Sequence, residues 1–80
     1  MNLYIVERTD EVPYESYSMF ICAAWSEDCA RSMHPDFDWD AESRWFAAVW
    51  TKDIESLDVR YIGVSNDTVC DILHKEWRHG

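Results

Sequence analysis

The negative charge of this chain is the feature that most constrains how it can fold. Sixteen Asp and Glu residues stand against seven Lys and Arg, which gives a net charge of −9 in 80 residues. Charge of one sign repels itself and destabilises a compact state, so the chain needs an efficient core. The composition supplies one, since 48% of the residues are hydrophobic and 15% are aromatic. The sequence therefore predicts an acidic globular domain rather than a disordered chain.

Length and hydrophobicity together predict one domain, residues 1–80. The start of the chain lacks a positively charged region, and no run approaches the roughly 18 apolar residues of a membrane helix. We therefore expect a cytoplasmic protein without a membrane partner. The cysteines, Cys22, Cys29 and Cys70, have no paired spacing and are expected to be reduced, buried thiols.

Hydrophobic alternation and helix signals predict a mixture of strands and helix. Residues 3–8, 19–24 and 57–63 have the apolar patterns of strands, and the first two are expected to pair antiparallel at the centre of a sheet. Ser26 is a favourable helix N-cap, and Pro35 ends the short helix that follows it. Trp25, just before the cap, is expected to pack against this helix.

Two segments fit either a strand or a helix. Residues 44–50 and 72–77 carry apolar side chains that match both periodicities. The fold class predicted from the whole pattern is α+β: an antiparallel sheet of three to four strands with one short helix packed on a face. Because the apolar residues 45–50 suit a core as well as an interface, the chain is expected to be a monomer or a homodimer.

An alternating acidic stretch is the strongest candidate for a binding site. Asp36, Asp38 and Asp40 recur at every second position, and Glu42 continues the pattern. In an extended chain such residues point the same way about 6.5–7 Å apart, which is similar to the spacing of successive phosphates on a nucleic-acid strand. Trp39 among them is suited to anchor a protein interface while the acids steer a basic partner. These five residues are the predicted contact centre.

Acids elsewhere in the sequence extend this negative field. A predicted second patch consists of Asp10, Glu11 and Glu15. The other contributors are Glu27, Asp28, Asp53, Glu55 and Asp58. One continuous acidic face favours a binding role, whereas scattered acids favour a solvated surface that serves only solubility. Direct binding to nucleic acid or anionic lipid is not expected, because such contacts require Lys and Arg.

Metal and catalytic motifs are incomplete in this sequence. Residues 36–40 open like a calcium loop, but Ala41 and Ala47 stand where that loop needs a glycine and a bidentate glutamate. The cysteines and histidines lack the usual zinc spacing. No glycine-rich phosphate loop and no nucleophile motif occurs. We therefore predict no metal, no cofactor, no catalytic residue and no enzymatic activity.

Four short segments follow one another in a distinctive order. They are Leu-Tyr-Ile-Val at 3–6, Tyr-Glu-Ser-Tyr-Ser at 14–18, the stretch from Ala-Ala-Trp-Ser to His-Pro at 23–35, and Asp-Val-Arg-Tyr-Ile-Gly at 58–63. This order resembles that of a group of small proteins encoded by phages and mobile elements. Residues 73–78 depart from the pattern of that group.

Small size, acidity and this phage-like order together resemble anti-CRISPR proteins, several of which act as DNA mimics. The resemblance implies a non-enzymatic phage inhibitor in the cytoplasm of the bacterial host. Its partner would be the basic DNA-binding surface of a CRISPR surveillance complex, which it would block against target DNA. Two alternatives stay open. One is inhibition of another nucleic-acid-binding host protein, such as a restriction enzyme, nuclease or polymerase; the other is an accessory module whose acidity only gives solubility.

Overall fold

A computed structural model describes residues 1–12, 14–35, 50–51 and 53–78 of the chain. Within these residues, four strands form one antiparallel sheet in the order β3-β1-β2-β4, and one short helix packs on it. The elements are β1 (Asn2–Glu7), β2 (Ser16–Ala24), the helix α1 (Glu27–Ser32), a short 3₁₀ helix (Ile54–Ser56), β3 (Asp58–Val64) and β4 (Asp71–Arg78). The predicted α+β class is confirmed. The ambiguous segment 44–50 lies outside the described residues except for Trp50.

The central pair of strands, β1 and β2, builds the core. Val6 lies opposite Phe20, and Tyr4 lies opposite Cys22. Because side chains alternate between the two faces of a strand, all four point to the same face, where they are buried. The Phe20 ring packs against the buried indole of Trp50, with 5.3 Å between ring centroids. The predicted antiparallel pairing and central position of these strands are confirmed.

The end of the chain forms a strand, β4, which resolves the ambiguity of that segment. It pairs antiparallel with the outer edge of β2, with Ile72 opposite Cys22 and Trp77 opposite Tyr17. The rings of Tyr17 and Trp77 meet edge to face at 4.7 Å. A strand is favoured over a helix because the backbone groups on the outer edge of β2 need hydrogen-bond partners. The same pairing begins β2 at Ser16, earlier than predicted.

The helix α1 begins and ends where the sequence predicts. The Ser26 hydroxyl accepts a hydrogen bond from the backbone N–H of Cys29 at 3.1 Å, which satisfies one of the free donors of the first turn. Ala30 is buried against the sheet. In the last turn, Arg31 donates to the backbone carbonyl of Leu57 at 2.8 Å, which joins the helix to the start of β3.

The expectation that Trp25 packs against this helix is wrong. Its side chain is 68% exposed. Ala24, the residue before it, ends β2 with its side chain buried in the core cluster. Because successive side chains of an extended chain point to opposite sides, Trp25 points away from the face on which the helix packs.

Both edge strands contain an irregularity. Along β3 the pairing with β1 skips Ile62, and Gly63 after it has a φ of 156°, a positive value that glycine adopts without strain. Along β4 the pairing with β2 skips Leu73. Bulges of this kind bend an edge strand and disfavour pairing with the edge of another chain.

The N-cap can be tested with two substitutions in one helix. We expect Ser26→Ala to lower the free energy of unfolding by about 1 kcal/mol, because the Cys29 N–H loses its acceptor. Ser32→Ala is the matched control, since this exposed hydroxyl donates only to the Cys29 carbonyl of its own helix, and a change within about 0.5 kcal/mol is expected. Urea unfolding measures both, and equal losses would contradict a specific role for the cap.

Candidate partner-binding surface

One end of the sheet gathers acidic residues from two separate segments of the sequence, 7–15 and 53–58. Glu7, the last residue of β1, lies directly opposite Asp58, the first residue of β3. The Thr9 hydroxyl donates to the backbone carbonyl of Ser56 at 2.8 Å, which joins the β1–β2 connection to the 3₁₀ helix. We call this surface the acidic end; its carboxylates are Glu7, Asp10, Glu11, Glu15, Asp53, Glu55 and Asp58.

The acidic end contains the whole predicted second patch. Asp10, Glu11 and Glu15 are all exposed in the connection between β1 and β2. The predicted contact centre lies outside the described residues; its members are Asp36, Asp38, Trp39, Asp40 and Glu42. Glu7 is a contributor that no local sequence pattern predicts, because only the pairing of β1 with β3 brings it beside Asp58.

Arg8 organises the start of the β1–β2 connection. Its Nε donates to Asp10 Oδ1 at 2.8 Å and its Nη2 to Asp10 Oδ2 at 2.6 Å, a bidentate pair. Its third nitrogen, Nη1, donates to the buried Ser16 hydroxyl at 2.8 Å. These hydrogen bonds and the charge of Arg8 lower the pKa of the Asp10 carboxyl against a smaller opposing effect of burial. Asp10 therefore keeps its charge and its position.

Arg60 lies between the two carboxylates at the paired strand ends. Like charges directly opposite each other in a sheet are destabilising. The Arg60 side chain offsets this repulsion, because it contacts Glu7 Oε1 at 2.5 Å and Asp58 Oδ2 at 3.4 Å. One guanidinium thus holds two carboxylates side by side and leaves that pair with net negative charge.

Arg78, the last residue of β4, anchors the remainder of the connection. Its Nη1 donates to the Val12 carbonyl at 2.6 Å, and its guanidinium stacks over the Tyr14 ring at 4.5 Å from the centroid. The Glu15 N–H donates in turn to the Arg78 carbonyl at 2.8 Å, at a turn where Glu15 has a positive φ of 61°. A groove of about 360 Å³ lies here, lined by Glu11, Val12, Tyr14 and Arg78.

Every cation that the structure describes has an intramolecular partner. These side chains are Arg8, Arg31, Arg60, Lys75 and Arg78. By contrast, Glu11 and Glu55 at the acidic end have no ion pair with any described residue. The cations therefore serve the fold, while part of the acidic surface remains uncompensated.

A second, smaller group of acids lies at the opposite end of the sheet. Its members are Glu27, Asp28, Asp67 and Asp71. They lie at the start of α1, after the end of β3 and at the start of β4. Apart from Glu76, which lies within β4, the described acids thus form two groups at opposite ends of the sheet rather than an even scatter.

The three cysteines differ in their surroundings. Cys22 is buried, and its burial, with the nearby Cys29 and Cys70, raises its thiol pKa to about 12. Cys29 and Cys70 are half-buried rather than buried as expected, because they pack against the outside of the core cluster rather than within it. All three are free thiols.

In the part of the chain that the structure describes, no group of three or more His, Cys, Asp or Glu residues is placed to hold a metal ion. The described helices also include none with the length and hydrophobicity needed to cross a bilayer.

The chain matches no protein-family model, no curated protein and no solved structure.

The pairing of Arg8 with Asp10 predicts a measurable pH effect. In Arg8→Gln, the pKa of Asp10 should rise toward its ordinary value, as followed by NMR titration of the carboxyl. Because the pKa of Asp10 is lower in the folded chain than in the unfolded chain, the ion pair stabilises the fold at higher pH. The contribution of the pair is complete above the unfolded value of about 3.9 and is lost as the pH falls through the folded pKa.

Arg78→Gln is the matched control for this titration. It removes a guanidinium from the same end of the sheet without touching the bidentate pair, so the pKa of Asp10 should stay low. An equal rise in both variants would mean that the general field, and not the hydrogen bonds from Arg8, lowers this pKa.

Proposed function

We propose that this protein is a non-enzymatic inhibitor that occupies the basic DNA-binding surface of a bacterial CRISPR surveillance complex. Its carboxylates take the places of DNA phosphates, so that target DNA can no longer bind. The observation that carries the proposal is the acidic end, where carboxylates from two distant segments of the sequence lie at one end of the sheet. The overall charge of −9 adds a long-range field that speeds association with a basic partner.

The internal ion pairs of the acidic end support a mimic rather than a merely soluble surface. A partner that binds a flexible acidic segment must pay the entropy of ordering it. Here Arg8 fixes Asp10, and Arg60 holds Glu7 beside Asp58 before any partner arrives. Arrayed carboxylates present to basic side chains the charges and acceptor oxygens that phosphates present.

The described cations are already bound to groups within the chain, which supports a protein rather than a nucleic acid as the partner. Binding to nucleic acid needs Lys and Arg side chains that are available to phosphates. The guanidiniums at the acidic end are bound to carboxylates or backbone carbonyls of the chain itself. The surface is therefore suited to a groove lined with cations, which is the surface that CRISPR effectors use to hold a heteroduplex and read its flanking duplex.

The alternating acids at 36–42 extend this proposal to a second contact. Their sequence spacing matches successive phosphates and requires only an extended backbone. We assign the centre of the contact to Asp36, Asp38, Asp40 and Glu42, with Trp39 as the apolar anchor. The acidic end then acts as a further contact with the same partner.

The decisive experiment measures target-DNA binding by purified CRISPR surveillance complexes with and without this protein. The triple variant Asp10→Asn, Glu11→Gln, Glu15→Gln should inhibit about tenfold less than the wild type, because it loses three phosphate-like charges at nearly constant volume. The quadruple amide variant of residues 36, 38, 40 and 42 should lose inhibition completely. Affinity of the wild type for the complex should fall as salt rises.

The opposite end of the sheet offers a matched control. The triple variant Asp28→Asn, Asp67→Asn, Asp71→Asn removes the same number of charges and should change inhibition less than twofold. Circular dichroism checks that each variant is folded. If the two triple variants lost inhibition equally, net charge alone would account for the inhibition, and the proposal of DNA mimicry would be wrong. Inhibition of a restriction enzyme, nuclease or polymerase, with none of CRISPR complexes, would keep the mimic and change its target.

A further inference from the structure

Two of the three thiols lie side by side where the helix meets the edge of the sheet. The sulfurs of Cys29, in the first turn of α1, and Cys70, immediately before β4, are 3.8 Å apart although the residues are separated by 41 positions. Both are half-buried, so a small reagent can reach them from solvent. The third thiol, Cys22, is fully buried in the core.

We propose that Cys29 and Cys70 are a redox modification site, which closes to a reversible disulfide when the protein meets a peroxide. A disulfide requires the two sulfurs to approach to about 2.05 Å, and a thiol pair in contact needs only small side-chain rotations to do so. The inference rests on the geometry of the thiols and is independent of the proposed function.

The reaction consumes one peroxide and two thiols. The thiolate of Cys29 attacks one peroxide oxygen and breaks the O–O bond, which yields a sulfenic acid and hydroxide. The sulfur of Cys70 then attacks the sulfenic sulfur; the S–S bond forms as the S–OH bond breaks, and the hydroxyl leaves as water with the Cys70 proton. The hydroxide of the first step takes up the proton that Cys29 had released and becomes the other water. The two sulfurs together lose two electrons, and the peroxide gains them.

The order of these two steps follows from the surroundings of Cys70. Burial and the neighbouring Cys29 raise the pKa of the Cys70 thiol, against a smaller opposite effect of the Trp25 backbone N–H. A thiol with a raised pKa is a poor first nucleophile, because the thiolate is the reactive form. Cys70 is therefore the resolving thiol, held beside the sulfur that is oxidised first.

The disulfide would join two elements that are otherwise linked only through the sheet. α1 contacts β1, β2 and β3, whereas β4 contacts β2. The disulfide would close a loop between residues 41 positions apart, which strongly restricts the conformations of the unfolded chain. The thermal midpoint of the oxidised protein should therefore exceed that of the reduced protein by roughly 10 °C.

Peptide mapping of the oxidised wild-type chain tests the proposal directly. Trypsin alone leaves two of the thiols on one peptide, residues 9–31, so a second endoprotease that cleaves after Glu27 is needed. The expected product after one equivalent of hydrogen peroxide is residues 28–31 joined to residues 61–75, lighter by two hydrogens and separated again by dithiothreitol. A rise of the thermal midpoint that dithiothreitol reverses supports the same conclusion.

Three results would overturn the proposal. They are a cross-link that includes Cys22, a disulfide between two copies of the chain, and oxidation that stops at a sulfinic acid without any cross-link. Cys22→Ala is the control variant, since it should still form the 28–31 to 61–75 product, while Cys70→Ser should not. The map of the wild-type chain decides the question even if a variant fails to fold.

Discussion

The arginine side chains bind carboxylates and backbone carbonyls, and these contacts determine where the fold can place its negative charges. The chain has sixteen Asp and Glu residues but only seven Lys and Arg. Repulsion among the carboxylates at strand ends and in loops destabilises a compact fold of this size. Arg8, Arg60 and Arg78 each join a carboxylate or carbonyl of one segment to another part of the fold. An exposed ion pair alone contributes little stability. Here the same side chains also hold a buried hydroxyl, a backbone carbonyl and an aromatic ring, so they fix the β1–β2 connection as well as neutralise it.

Local signals were sufficient for the elements that depend on neighbours in sequence. The short apolar runs of β1 and β2 and the cap at Ser26 predicted those elements, because strands and helix starts depend on residues a few positions apart. The end of the chain was ambiguous because its apolar residues, Val69, Ile72, Leu73 and Trp77, fit one side of a helix as well as a strand. Only the free edge of β2 decides between them, and that edge is a property of the assembled sheet.

The candidate sites show even more clearly which features local sequence patterns cannot predict. Asp10, Glu11 and Glu15 are adjacent enough in sequence to be recognised as a patch. The pairing of Glu7 with Asp58 and the contact of Cys29 with Cys70 depend on register and on helix placement, which no local pattern encodes. A surface assembled by long-range contacts exists only in the folded chain.

The thiol pair and the acidic end lie at opposite ends of the same strands. Cys70 precedes the first residue of β4, whereas Arg78 is its last and is bonded to the β1–β2 connection. Eight residues of strand separate these points by roughly 25 Å. Oxidation would therefore fix the start of β4 without altering the carboxylates near its end. An edge strand held by one covalent bond and one guanidinium has both of its ends restrained, which protects the outer side of β2 while leaving the acidic end unchanged.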